Sequence, residues 1–596
     1  MHVPDSLDQY KIETTWSTRI EESIIMDSIK NDVPLEMETA ILNKIAELNS
    51  NTHIENSEIY IALFVLLLKD PKGKPKTLQA IATKLGMSAG MFDPFKAFTW
   101  GVLFLKECQD FGLYLLYCTR DINEEPTNSW YIHCNFILDR KTYQKLSKLQ
   151  YLPPMKKPPL PWKDNHMGGW LWENKHIILG HRYNRHDDPL AYDILNKLQT
   201  IPWEIDADTY LFEKQTNTTI KKQQFNRVIN EYLGKHFYFV WRYDSRGRSY
   251  SSGYDLNLQN NEYGKALVSL HQKEIIDKQN IGNLYIAIAN HAGKDKLTWS
   301  ERMDWASKQP NFDDIEWDEP ILGRKAIRAL KASQEGKPTG YVMSLDATSS
   351  GLQLMAVLSG CRETAKWVNC IDPNKRYDLY TEVANMMNSK LPKDKYVKRK
   401  IIKESTMTHY YNSKATPKFL LSKEQLEVFY EVLDGLLPGA EVVMETINNC
   451  WNYEKDHHSW IMPDGHKVYV PIIIGTNVIY SDPELGEIPL RFHEQTLSND
   501  FKSLCPNVIH SVDGYVAREM IRRCNFQLSH VHDCFVFHPN YLQRVCKTYR
   551  EIMADIAKSN LFEDILQQLM NDTSIKVSKD TNDLDTYILN SEYMLS

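Results

Sequence analysis

The sequence predicts an α+β fold, mostly helical, and three observations carry that expectation. Through the first half, apolar residues recur at spacings of three and four, the period of helices buried on one face. Later, short apolar runs lead into carboxylates: YVMSLD ends on Asp346, and Leu528–Val531 leads into His532 and Asp533. At 596 residues with 42% hydrophobic side chains, the chain is long enough for two to four domains or subdomains with a substantial core.

Taken in order, Glu36–Leu48, Ile54–Leu68 and Leu78–Lys84 carry the helical period. Tyr114–Thr119 and Ser129–Phe136 flank the polar run RDINEEPTN and predict a hairpin. The Pro-rich passage Leu152–Trp170 cannot be regular structure and predicts a boundary or a buried strap. Beyond it, Ile220–Leu233 predicts a helix and Phe237–Tyr243 a strand ahead of the basic turn DSRGRSY. Tyr341–Asp346 predicts a buried strand, followed by a helix over Gly351–Leu358; Tyr396–Tyr411 is helical. Lys467–Ile479 and Glu487–Phe492 predict a strand pair around Ser481–Gly486. Val508–Cys524 is helical, and Leu528–Val531 with Cys534–Phe537 reads as strand, tight turn, strand.

The longest apolar run, Ile59–Leu68, is too short to span a bilayer, and the first residues lack a basic-then-apolar signal pattern, so no membrane partner and a cytoplasmic location are expected. Ten cysteines without a C-x-x-C pair predict free thiols in a reducing compartment. A net charge of −7 argues against a wholly basic nucleic-acid binder, but two stretches are locally basic. One runs from Lys390 to Lys403, the other from Lys221 to Arg248. Each run alone reads more readily as a solvated face.

Two aspartates at strand ends, one before a helix and one in a hairpin turn, are the arrangement that bridges metal ions for in-line phosphoryl transfer. A lone strand-end Asp is more often a helix cap. On the helix RKIIKESTMTHYY, Arg399, Lys403, Met407 and Tyr411 recur every four residues and form one stripe. Two cations one turn apart suit a triphosphate, with the tyrosine at its sugar end; on pattern alone a basic surface helix reads equally well.

The motifs together resemble the single-subunit, phage and mitochondrial type of DNA-dependent RNA polymerase. DATSSGLQ (Asp346–Gln353) is similar to its motif A, with Thr348 for the usual Ser; RKIIKESTMTHYYNSK (Arg399–Lys414) to motif B; HSVDG (His510–Gly514) and VHDCF (Val531–Phe535) to the elements around motif C. DSRGRSY, PPLPWKDNHMGGW, MPDG and the C-terminal ILNSEYMLS add to the set, in order, from roughly residue 110 onward. Glu404 and Asn412 depart from the family, which has a second basic residue and a Gly there.

The resemblance implies a right-hand polymerase: palm, fingers and a reduced thumb behind a helical N-terminal domain. The expected segments are 1–160 N-terminal, 161–236 connector and reduced thumb, 237–365 first palm part, 366–500 fingers with hairpin, and 501–596 second palm part with C-terminal foot. It implies that Asp346, the carbonyl of Ala347 and Asp533 hold two magnesium ions. Arg399 and Lys403 then hold the incoming triphosphate, with Lys403 able to protonate the leaving pyrophosphate, Tyr411 senses the ribose and His510 lies near the nascent RNA end. Arg246 and Arg248 contact the template or hybrid backbone, and Ser350 and Gln353 are structural or hybrid-facing. The implied partners are DNA template, nascent RNA and ribonucleoside triphosphates, with a helper protein for promoter opening or processivity. A bacteriophage origin, acting in the infected host's cytoplasm or carried in the virion, is expected. The rivals are a DNA or primer-synthesising polymerase of the same palm, and an inactive DNA-binding transcription factor. The short Trp203–Asp244 interval implies low processivity, with Lys221, Lys222 and Arg227 as what remains of the thumb's grip, and the acidic hairpin tips imply weak autonomous promoter recognition.

Overall fold

The computed structural model describes residues 16–29, 33–48, 54–68, 76–120, 128–136, 142, 154–171, 175–213, 220–253, 256–413 and 415–596. The chain forms two compact units. One contains the described parts of Met1–Leu152 together with Ile473–Thr496; the other contains Pro153–Leu171, Lys175–Ile472 and Leu497–Ser596.

The first unit is a helical cluster closed by strands. Helices Leu35–Leu48, Asn56–Leu68, Leu78–Ser88 and Pro94–Glu107 bury Ile41, Ile45, Leu63, Phe64, Phe98 and Phe104 in one core. Thr77 and Asp93 start the last two helices by accepting hydrogen bonds from Ala80 and Lys96. The predicted hairpin is present as Tyr114–Arg120 paired with Asn128–Cys134, and its tip lies outside the described residues.

The sequence reading of the later hairpin needs correcting. Lys467–Pro471 does not join the strand that follows; it pairs with His457–Ile461, with the MPDG turn between them. Pro471 has no N–H to extend a ladder, so the chain changes partners there. The next hairpin is Ile473–Asp482 with Gly486–Gln495, and it belongs to the N-terminal unit, not with the 366–500 segment expected to carry it. Alternation explains this: Ile488, Leu490 and Phe492 are buried in the N-terminal core while Glu487, Pro489 and Arg491 face solvent. Its acidic turn is docked, with both oxygens of Asp482 2.9 and 3.1 Å from the ammonium of Lys106, and Trp130 donating to Leu485 O at 3.1 Å.

In the second unit, strands β1 (Val240–Tyr243) and β2 (Ser249–Ser252) form a hairpin around the DSRGR turn. Helix α1 (Glu262–Ala266) and helix α2 (Pro320–Gln334) precede β3 (Met343–Asp346), which runs into α3 (Ser350–Ser359). Helix α4 (Arg399–Tyr410) comes next, then α5 (Leu504–Arg523), β4 (Leu528–Val531), β5 (Cys534–Phe537) and α6 (Leu542–Lys558). The central sheet has the order β4-β5-β3, all antiparallel. The Pro-rich passage is a buried strap: Trp162 is 2% exposed and donates its indole N–H to Trp241 O at 2.9 Å. A helix at Ile220–Tyr232 occupies the expected thumb interval. The side chains of Lys221, Lys222 and Arg227 lie outside the described residues.

Gly514 shows why the HSVDG and DSRGR motifs occur together. A Cβ at Gly514 would stand 2.6 Å from Gly247 O, so α5 packs against the turn only through a glycine. Arg518, one helical turn on and fully buried, donates to the same carbonyl at 2.7 Å.

Candidate active site

The antiparallel register sets the site. Asp346 is the last residue of β3 and lies opposite Cys534, the first of β5, so Asp533 in the turn before β5 comes beside it. Ala347 N–H donates to Asp533 O at 3.2 Å and locks the two segments together. His532 holds a positive φ of 56° in that two-residue turn, a conformation that costs a non-glycine residue about 1–3 kcal/mol. The ring of Tyr250 packs against His532 at 4.9 Å and supports it. No protein side chain pairs with the Asp533 carboxylate among the described residues.

Asp346 is solvent-accessible, yet it sits on a cleft floor with protein around it. Burial therefore raises its carboxyl above the ordinary range, and the neighbouring Asp533 charge adds to this, partly offset by a bond from Cys534. Two hard carboxylates held together at such a cost suit a small divalent cation, whose charge relieves both penalties.

Two cavities meet at Asp346. The larger, about 710 Å³, is lined by Lys265, Asp346, Ser350, Lys403, Tyr411, His510 and Asp533 among others. The smaller, about 180 Å³, adds Lys296, Arg376, Asp378 and Arg399. The stripe on α4 is therefore real: Lys403, Met407 and Tyr411 face the larger cavity, and Arg399 with Lys403 the smaller. Arg399 is held by the carboxylate of Asp378 through two bonds of 2.7 and 2.9 Å. Lys403 rests over the ring of Tyr380 at 5.9 Å and has no ion-pair partner among the described residues. Asn412 has φ 65°, which resolves the departure from the family glycine, because Asn is among the few side chains tolerant of that region. Glu404 is exposed on the helix.

Tyr411 caps α4, and its ring lies 5.1 Å from that of His510. A Cβ on Gly351 would come 3.1 Å from the Tyr411 hydroxyl, so the first turn of α3 bounds the space around that oxygen. His510 Nδ1 lies 3.0 Å from Nη1 of Arg246, a permanent donor, so Nδ1 accepts and Nε2 carries the proton. Burial, then the charges of Arg248, Arg246 and His532, push the His510 pKa down to about 2, which keeps the ring neutral.

The residues expected on template or hybrid fare differently. Arg246 grips Asp244 at 2.7 Å and Arg248 pairs with buried Asp513 at 2.8 Å, so both are committed to carboxylates. Ser350 lines the cleft. Gln353 takes the structural alternative and not the hybrid-facing one: it is fully buried, donates to Val368 O and Met594 O at 3.0 Å and accepts from Tyr549 at 3.0 Å. It ties α3 to α6 and faces no ligand.

Sequence reasoning missed Lys296, Arg376 and Asp378. Arg376 brings further positive charge to the smaller cavity, Lys296 lines it while paired with Asp295, and Asp378 positions Arg399. They come from segments with no motif of their own, and only the tertiary fold brings them to Asp346. A cluster elsewhere, His166, His176 and Asp187, also groups possible metal ligands. It does not approach the aspartate pair in sequence and is absent from both cavities.

Comparison with known proteins agrees with this geometry. The pattern of the family described as DNA-dependent RNA polymerase matches residues 274–462 and 491–592. A probable DNA-directed RNA polymerase of Gelasinospora sp. (strain G114) is 23% identical over 506 residues, 69% of this chain and 61% of that protein. The DNA-directed RNA polymerase of Pseudomonas phage phiKMV is 23% identical over 367 residues, 48% of this chain and 43% of its own. The mitochondrial DNA-directed RNA polymerase of Schizosaccharomyces pombe is 21% identical, over 57% of this chain and 36% of its own. The chain thus spans about three fifths or less of the length of these relatives. A solved structure, the POL domain of Pol1 from M. smegmatis with DNA primer-template and dNTP, aligns at a TM-score of 0.24 and 13% identity over 50% of this chain and 66% of its own, which adds nothing to the assignment. With the aspartate pair, the α4 stripe and the family pattern all falling on the same residues, the chain belongs to the DNA-dependent RNA polymerase family of the single-subunit type.

Proposed function

We propose that this protein polymerises ribonucleotides on a DNA template by two-metal phosphoryl transfer, and does so in bacteriophage transcription. The observation that carries the chemistry is the register of β3 and β5, which sets Asp346 beside Asp533 at the junction of two cavities, one of them rich in cations. Asp346, Asp533 and the carbonyl of Ala347 are oxygen donors of the kind magnesium prefers. Two magnesium ions, when bound, supply charge for the transferring phosphate and lower the pKa of the attacking hydroxyl.

The chain's own groups do the rest. Arg399, fixed by Asp378, and Lys403 hold the triphosphate, and the unpaired ammonium of Lys403 is placed to give a proton to the leaving pyrophosphate. Tyr411 bounds the ribose end. Neutral His510 offers Nε2–H as a donor near the end of the nascent strand. Arg246 and Arg248 reach template or hybrid phosphates only while remaining paired, so they position more than they attract.

The phage relative is what favours the phage setting; action in the cytoplasm of an infected bacterium is part of the proposal and follows from that setting alone. A helper protein for promoter opening or processivity belongs to the same reading, because the acidic turn of the Ile473–Gln495 hairpin is occupied by Lys106. The test is synthesis by the purified chain on DNA with ribonucleotides against deoxyribonucleotides, with and without a chelator. Magnesium-dependent RNA product is expected, and exclusive use of deoxyribonucleotides would move the chain to the DNA-polymerase alternative.

A further inference from the structure

We propose that Lys265 is a binding residue for the growing strand, contacting the last phosphodiester before the 3′ end. The inference rests on the polymerase reading and deepens it.

In-line transfer at Asp346 and Asp533 needs two reactants on opposite sides of the metal site. The smaller cavity sets Lys296, Arg376, Arg399 and Lys403 against Asp295, Asp346 and Asp378. Lys296 and Arg399 are paired with Asp295 and Asp378, while Arg376 and Lys403 have no carboxylate partner among the described residues and suit a triphosphate. The attacking strand end therefore enters from the larger cavity. There the cations are Arg248, Lys265 and Lys403. Arg248 is paired with Asp513, and Lys403 is shared with the triphosphate side. Lys265 is exposed to the cleft and, among the described residues, its ammonium has no hydrogen bond or ion pair. Glu319, the acid nearest in character to a partner, is already bonded to His291 at 2.8 Å. Lys265 still lies close enough to Asp346 and Glu319 for its charge to draw both carboxyls downward.

Its mounting is rigid. Asn261 caps α1 by accepting from Gly264 N at 2.9 Å. Glu262 accepts from Ile321 N and Leu322 N, at 2.5 and 3.1 Å, and so ties α1 to the start of α2. Tyr263 and Ala266 on either side of Lys265 are buried. A lone ammonium on a fixed turn beside two metal-binding carboxylates is suited to one phosphate of a strand, and a preorganised contact loses little on binding.

The experiment uses the full chain and an RNA primer annealed to a DNA template, measuring scaffold affinity by fluorescence anisotropy and single-nucleotide extension. Lys265→Ala should weaken scaffold binding about tenfold, the scale of a charge-assisted hydrogen bond, and leave the KM for the nucleotide within about twofold. Lys265→Arg should keep most of the affinity. A primer with a neutral methylphosphonate at its last linkage should cost the wild type the same factor and cost Lys265→Ala nothing more. Independent, additive losses from the variant and the methylphosphonate would overturn the proposal, as would a loss falling on the nucleotide KM. If the wild type extends no RNA primer, the polymerase reading itself fails; if it does and Lys265→Ala behaves as wild type, only the Lys265 contact fails.

Discussion

Two hairpin turns in this molecule each carry an aspartate, and their fates are opposite. Asp482, in the turn of the Ile473–Gln495 hairpin, is 7% exposed, takes the ammonium of Lys106, and accepts from the N–H groups of Glu484 and Leu485 at 2.9 and 3.0 Å. Asp533, in the β4–β5 turn, has no side-chain partner among the described residues and looks into a cleft beside Asp346. Both stand where an antiparallel hairpin turns, Asp482 as the last strand residue and Asp533 in the turn itself, so position in a hairpin says little about role. Partnership decides: a carboxylate satisfied by protein donors is structural, and one left free beside another carboxylate suits the cation proposed for it.

The comparison breaks first if exchanging charge for amide has equal effects at the two turns. Asp533→Asn or Asp346→Asn should slow nucleotide addition by about 10³-fold or more, since a metal site supplies several kcal/mol and each 1.36 kcal/mol is tenfold. Stability should be unchanged or raised, because a repelling pair is relieved. Asp482→Asn should leave the rate of addition as it is. Single-turnover extension with each variant checks this.

Next comes Lys403, a cation of α4 that faces both cavities and has no ion pair among the described residues. Lys403→Ala should cost about ten- to a hundredfold in kcat/KM for the nucleotide, the range for charged hydrogen bonds. Chemical denaturation should show little change, since the ammonium makes no ion pair with the described protein.

The docked turn should show itself in stability. Asp482→Ala should destabilise the N-terminal unit by about 2 kcal/mol, because it leaves Lys106 and two N–H groups short of an acceptor. Burial works against the ionised Asp482, but Lys106 and those N–H groups win and hold its pKa below the usual carboxylate range. A lowered folded pKa means that the contribution is present above the unfolded value and is lost as pH falls through the folded one. The wild-type advantage over Asp482→Ala, measured by denaturant midpoints, should therefore shrink below about pH 4.

The smallest effects concern the sugar end. Tyr411→Phe should relax ribose over deoxyribose selection, measured as the ratio of kcat/KM for ATP and dATP, with packing unchanged. Gly351→Ala should shift the same ratio less, since its methyl would stand 3.1 Å from the Tyr411 hydroxyl and the ring can yield by a few tenths of an ångström. An unchanged ratio in both would make Tyr411 a packing residue only.

What could be read in the sequence was local. The strand-turn-strand at Leu528–Phe537, the strand ending on Asp346 and the α4 stripe all depend on residues a few positions apart, and each appears as expected. The Lys467 strand failed because alternation does not name a partner, and a proline before the next apolar run was not read as a change of sheet. Gln353 stayed open between a structural and a hybrid-facing role because a polar residue on an apolar helix looks the same whether it faces a ligand or bonds to buried carbonyls.

The sequence by itself determined the type of each central element, the two carboxylates and the cations one turn apart, because these follow from backbone periods of two and 3.6. Only the tertiary structure decided which charges are free. Among the described residues, the side chains of Lys265, Lys403 and Asp533 form no ion pair while those of Arg248, Arg399 and Asp482 are taken. The reason is physical: an ion pair depends on the distance between side chains far apart along the chain, and no local period encodes that distance.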